Sequence, residues 1–198
     1  GSHVRYRKKS WIWFWAPTMR FAWGTIIIAG FVSGIIFWGG FNTAMEETNS
    51  LQFCVSCHEM EQLVYEEYKL SAHYKNASGV RAICSDCHVP HAWGPKVVRK
   101  IQASGELWAK FTGRVNTKEK FEAHRWVMAN KVCDKMLATD SRECRNCHSY
   151  DAMDFHKQGR RASEKMQEGI EDGKTCIECH KGIAHKLPTD PNEEEYED

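Results

Sequence analysis

The chain has 198 residues, with 27 Lys and Arg against 26 Asp and Glu and a formal net charge of +1. That balance gives no reason to expect a nucleic-acid partner, and the length allows one domain with a short appendage. Mean hydropathy is low (−0.57) although one segment is strongly apolar, so the remainder is very polar. Something besides aliphatic side chains has to fill its centre.

Gly1-Ser2-His3 has the look of an expression-tag remnant. Residues 1–20 contain Arg5, Arg7, Lys8, Lys9 and Arg20 and no acidic residue, and WIWFWAP (11–17) has the composition of an interfacial aromatic anchor. Residues 21–41, FAWGTIIIAGFVSGIIFWGGF, carry no charge. As a helix this run would span roughly 30 Å, the thickness of a bilayer's hydrocarbon core. A buried soluble helix is the competing reading, but Trp23 and Trp38 near the two ends favour the bilayer. A cleaved signal peptide is disfavoured by the length of the run and by the lack of a small-x-small site. The positive-inside rule then puts the N-terminus in the cytoplasm and residues after 45 across the membrane. Gly30 and Gly34 form a GxxxG that would suit a homodimer.

From about residue 46 the chain is polar, with apolar residues at helical spacing over 60–73 and 95–111 and no convincing alternating strand. The expected fold is therefore mainly α: one transmembrane helix followed by a small domain over 46–188. Residues 189–198 form an acidic tail expected to be disordered.

Cys-x-x-Cys-His occurs four times, using Cys54/Cys57, Cys84/Cys87, Cys144/Cys147 and Cys176/Cys179; only Cys133 is left over, readable as a buried thiol. The first two units start at 54 and 84 and the last two at 144 and 176, and CHVPH (87–91) resembles CHKGIAH (179–185). This reads as two dihaem repeats, 54–91 and 144–185. The pattern is the attachment signature of c-type haem, in which the thiols become thioethers and the adjacent histidine reaches iron. A redox dithiol or half a zinc site would not explain a histidine at the same place in all four copies. Four covalent haems would also supply the missing core.

His58, His88, His148 and His180 are the motif ligands. Second axial ligands are sought among His73, His91, His185, His124 and His156. His73 stands six residues before Gly79; the matching place before Gly173 holds Gln167, a poor iron ligand. One haem then takes its partner from His124 or His156, with Lys165 or Met166 as remoter substitutes. In CVSCHEM (54–60) a second soft donor, Met60, follows His58.

A basic stub, one membrane helix, then CVSCHEM, CSDCHVPH, CRNCH and CIECHKGIAHKLP resembles the NapC/NirT family of membrane-anchored tetrahaem cytochromes c. The resemblance runs from about residue 20 to 188 and includes FWGGFNTAMEETN, KNASGVRAICSDCHVPH and FEAHR. It implies a bacterial inner-membrane protein with a periplasmic haem domain. It further implies a quinol dehydrogenase that oxidises membrane quinol near haem 1 and feeds a periplasmic reductase or its cytochrome subunit. For the members it is most like, that partner is nitrate reductase. The family's lysine and acidic residue beside haem 1 map to Lys100 and Glu106, on a stretch that also holds Lys96 and Arg99. A solvated basic face is the alternative there. In some members the methionine of C-x-x-C-H-x-M binds iron, which favours Met60 over His58. Gln167 departs from the histidine expected of the family. The alternative function is a passive membrane-tethered electron carrier reduced by another subunit.

Overall fold

The computed structural model describes residues 22–191. The basic segment 1–20 with its aromatic anchor, and the tail beyond 191, lie outside the described residues. The chain divides into two compact units, 1–48 and 49–198.

Among the described residues the first unit holds one helix, α1 (Trp23–Glu47), of 25 residues. Its most apolar stretch has a mean hydropathy of 1.8 and only 6% of it is buried. Phe31 and Phe37, about 70% exposed, would be hidden in the core helix of a soluble domain. At about 1.5 Å per residue the helix is ~38 Å long, enough to cross a bilayer with residues to spare. It outlasts the apolar run that stops at Phe41, because Ala44, Met45, Glu46 and Glu47 are strong helix formers. Thr48 ends it, donating its hydroxyl to the Ala44 carbonyl at 2.8 Å.

The second unit is built of short helices: α2 (Leu51–Val55), a π-helical stretch Met60–Tyr65 running into α3 (Glu66–Lys69), and α4 (Cys84–His88). Two long helices follow, α5 (Trp93–Phe111) and α6 (Lys118–Ala138). Then come α7 (Arg142–Arg145), α8 (Arg160–Glu171) and α9 (Cys176–Cys179). No strand occurs among the described residues. The mainly α expectation holds. Helix α6 leaves no periodic signal in the sequence, because its apolar residues form no stripe; Thr117 caps it by accepting from the Lys120 N–H.

The apolar core is very small. Leu63, Tyr68 and Phe121 are the buried apolar side chains among the described residues. Ile101, Trp108 and Phe111 of α5 stand out from the polypeptide. A domain of this kind needs large apolar surfaces that its own side chains do not supply.

Candidate haem-binding sites

Each motif is a short helix or turn whose first cysteine is fixed by local capping. In motifs 2 and 4 an acidic residue inside the motif provides the cap. Asp86 accepts from the Ile83 N–H at 2.7 Å, and Glu178 from the Thr175 N–H at 2.6 Å. Both carboxylates occupy the same position, so C-S-D-C-H and C-I-E-C-H start their helices identically. Before motif 3 the chain reverses through Asp140 and Ser141, both with positive φ. That places fully buried Ser141 against the Thr175 hydroxyl, where it also accepts from the Ile177 N–H at 3.0 Å. Motifs 3 and 4 are thereby joined at their helix starts.

The attachment cysteines form a continuous file. The Cys54 thiol bonds that of Cys84, which together with Lys100 holds it down to about 7. Burial pushes Cys87 up to about 11, with Cys144 and Cys147 adding to the effect. Burial likewise raises Cys144, and Cys176 adds to it. Successive motifs are therefore electrostatic neighbours, in the order 1, 2, 3, 4.

Two histidine pairs cross between the repeats. His88 of motif 2 faces His185 with ring centroids 6.3 Å apart and 28° between planes. His148 of motif 3 faces His73 at 6.2 Å and 80°. A metal held by two imidazole nitrogens at about 2.0–2.1 Å, each nitrogen ~1.1 Å from its ring centre, puts the centroids ~6.3 Å apart. Both pairs fit one iron between them. The buried Nδ1 atoms of His73 and His185 have no hydrogen-bond partner among the described residues. Burial, with His185 and Arg99 adding to it, pushes His88 down to about 4. Burial lowers His73 and His185 as well. These rings are held neutral, the form that binds a metal.

The distal rings are positioned by identifiable devices. Tyr68 donates to the Ala82 carbonyl at 2.5 Å, and the Ala82 N–H to the His73 carbonyl at 3.1 Å, closing the KNASG loop around His73. Asn76 ties that loop internally through the Ala72 and Val80 carbonyls. On the other side the turn at Gly182 requires φ +75, and a Cβ there would come within 3.0 Å of Leu187. The returning strap is clamped by Arg125, which donates to Glu67 at 2.9 Å and to the Lys186 carbonyl at 3.0 Å. Glu67 also accepts from the Lys186 N–H at 2.9 Å. Burial would raise the Glu67 carboxyl, but Arg125 and Lys186 hold it below its ordinary range.

Motif 1 is built differently. His58 is exposed and lies 3.1 Å from Glu59, whose carboxylate is buried and bonded to Lys110 at 2.8 Å. Half-buried Met60 opens the π-helical stretch, its N–H donating to the Cys57 carbonyl. Lys100 acts on Cys54 of this motif, whereas Glu106 pairs with Arg99 at 3.0 Å, and Arg99 donates to the His88 carbonyl. The two mapped quinol residues thus lean toward different motifs.

His91 is exposed beside Asp86 at 3.8 Å. His124 bonds the Lys120 carbonyl of its own helix at 2.8 Å. His156 lines a cavity of about 540 Å³ together with Gln167. None of the three faces a motif histidine in the way that His73 and His185 do. Cys133 is half-buried on α6. Glu59, Lys110, Glu67, Arg125 and Ser141 carry no local sequence signal of their roles; only the FEAHR block touches one of them. Contacts over separations such as Arg125 to Glu67 leave no local pattern.

A helical unit with four Cys-x-x-Cys-His turns in file and histidine pairs spaced for iron is a multihaem c-type cytochrome. The chain belongs to the NapC/NirT cytochrome c family: residues 16–190 match the description "NapC/NirT cytochrome c family, N-terminal region". It is 53% identical over 181 residues to cytochrome c-type protein NapC of Escherichia coli K12, covering 91% of this chain and 90% of that protein. It is 54% identical over 179 residues to the denitrification system component NirT of Stutzerimonas stutzeri, covering 90% and 89%. Cytochrome c-type protein TorC of Escherichia coli K12 is 43% identical over 182 residues, 91% of this chain but 46% of TorC. No solved structure matches the chain. It is a membrane-anchored cytochrome of respiratory electron transfer that binds c-type haem covalently.

Proposed function

We propose that the protein is a quinol dehydrogenase, oxidising membrane quinol beside motif 1 and delivering electrons to a periplasmic reductase. The observation that carries the electron-transfer part of this reading is the crossed pairing of His88 with His185 and His148 with His73, at the spacing of two ligands on one iron; the quinol step rests on the sequence resemblance. Each of the four motifs holds one haem through its two cysteines. Haem iron supplies a one-electron store at each site. His88 with His185 and His148 with His73 would each hold one iron between two imidazoles. Met60, with His58 as the alternative, serves motif 1. His91, exposed beside Asp86 and three residues after His88, remains a candidate second ligand.

Quinol oxidation releases two protons with two electrons, so the site needs groups that hold and pass protons. Lys100, felt at Cys54, orients the quinol oxygen, and Glu106 on the same helix takes protons toward solvent. Motif 1 follows the apolar run closely in sequence, from Phe41 to Cys54, which keeps that end within reach of quinol in the bilayer. The basic residues before the helix support an orientation with the haem domain in the periplasm. The sequence resemblance carries the choice of nitrate reductase as partner. A passive electron carrier is the second reading, favoured by the Arg99 contact that draws Glu106 toward motif 2.

Mixing purified protein with a quinol analogue in detergent separates the two. The dehydrogenase reading expects haem reduction without any other subunit, blocked by a quinol-site inhibitor and slowed about tenfold or more by Lys100→Ala. If quinol leaves the haems oxidised until another subunit is added, the passive reading stands.

A further inference from the structure

Helix α5 carries Trp93, Val97, Ile101, Trp108 and Phe111 at helical spacing, so they share one face. On a helix packed against a soluble domain that face turns inward. Here it turns outward: Ile101 and Trp108 are 67% exposed, Phe111 is 81% exposed, and Trp93 is exposed too. The opposite, polar side is the one that meets the protein. Lys110 donates to Glu59 at 2.8 Å, Arg99 to the His88 carbonyl at 3.3 Å, and Lys135 of α6 to Gln102 at 3.1 Å. The contacts that join α5 to motifs 1 and 2 and to α6 thus leave from the side away from the aromatic residues. An outward apolar face of this length marks an interaction surface.

Three features select a phospholipid bilayer as what covers it. The chain is already held in a membrane by α1, and the haem-binding unit that carries α5 begins directly after that helix. Trp93 and Trp108 stand toward the two ends of the face, about 22 Å apart along the axis. Indole rings, apolar but with one N–H to keep wet, collect at the level of lipid headgroups. Lys96 and Lys100 border the face, with stems that can lie along it while their ammonium groups reach phosphate. Along α5, Lys96, Arg99, Lys100 and Lys110 stand against the single acid Glu106. Cations on one side with Trp, Phe and Leu on the other is the composition of helices that lie in the interface. Helix α8 makes the contrast: it has no aromatic residue, and its cations are matched by acids.

We propose that α5 is a second membrane contact, lying in the phospholipid interface with its Trp93–Phe111 face among the upper acyl chains. A tether at α1 alone leaves the haem-binding unit free to tilt over the bilayer; α5 fixes which side of it meets lipid. Such a contact serves either entry of electrons, from quinol or from another subunit.

The test uses the full haem-loaded chain in nanodiscs of phosphatidylethanolamine and phosphatidylglycerol, doped with a phospholipid that carries a photoreactive diazirine on its acyl chain. After illumination, lipid adducts are mapped by mass spectrometry. In the unaltered protein, adducts are expected on α1 and on the Trp93–Phe111 peptide, and none above background on α8 or on Leu70, which is 85% exposed. Ile101→Ser combined with Phe111→Ser is expected to lose the α5 adducts while keeping those on α1 and the haem content. Adducts on α1 alone would overturn the proposal, and haem loss in that variant would then assign the face to the haem core. Labelling of Leu70 as strong as that of α5 would overturn it as well, by showing mere collision with lipid. Crosslinks between two chains through α5, with no lipid adduct there, would give the face to a second copy instead.

Discussion

Met60 and Glu59 give motif 1 a character that the other three lack. Burial would raise the Glu59 carboxyl, but the Lys110 hydrogen bond overrides it and holds the group below its ordinary range. A fixed ion pair therefore sits between the two candidate donors, His58 and Met60. The π-helical stretch that begins at Met60 widens the turn carrying the thioether, and such turns recur at functional sites. Replacing histidine by methionine raises a haem's potential, which favours accepting electrons from quinol. Met60→Leu is expected to remove a methionine-to-iron band, lower one midpoint potential and slow reduction by quinol. Each ~59 mV of lowering costs tenfold in the one-electron equilibrium. An optical and redox titration checks this, and unaltered curves would hand the iron to His58.

At the scale of elements, distal rings are delivered by loops that the sequence marks only in part. The Cys-x-x-Cys-His turns are legible because attachment demands contiguous spacing, and the membrane helix because 21 uncharged residues leave few alternatives. The partners His73 and His185 are also legible as histidines. Their pairing is not, since it depends on how the Gly182 turn and the KNASG loop reverse the chain. The clamp on the His185 strap joins residues from three places, Glu67, Arg125 and Lys186, and no periodicity announces it. The Arg125 and Glu67 side chains are 11% and 16% exposed, so loss of either leaves its partner poorly solvated. Arg125→Ala is expected to cost about 1.5–3 kcal/mol and to loosen His185 from its place facing His88. Thermal unfolding followed in the haem absorption band reads the first effect, and a high-spin fraction from one haem reads the second. Arg125→Lys is expected to rescue little, because an ammonium cannot span Glu67 and the Lys186 carbonyl as a guanidinium fork does. A variant with an undisturbed melting point and spectrum would show that the clamp is dispensable.

On the scale of the whole molecule, the haem-binding unit is organised around surfaces that are not polypeptide. Three buried apolar side chains among the described residues are far too few to hold a unit of this length, a deficit that matches the low mean hydropathy of the chain. What holds the motifs in place is polar: Asp86 and Glu178 capping their own helices, Ser141 locking motif 3 to motif 4, Arg125 pinning the His185 strap. Such contacts specify geometry, yet each contributes little net stability while the centre is unfilled. The apolar faces of α5, with Ile101, Trp108 and Phe111 turned outward, point the same way, since they gain only when another apolar surface covers them. Folding of this unit and haem attachment should therefore be one event. The chain produced in cells that lack the covalent attachment machinery is expected to keep α1 in the membrane but to show no cooperative thermal transition in its remaining helical signal. Limited proteolysis should then cut freely between residues 49 and 191 while sparing α1. Circular dichroism and digestion of the two preparations side by side decide it. A sharp transition without haem would mean that the polar clamps suffice, and that the haems are guests in a finished fold rather than its core.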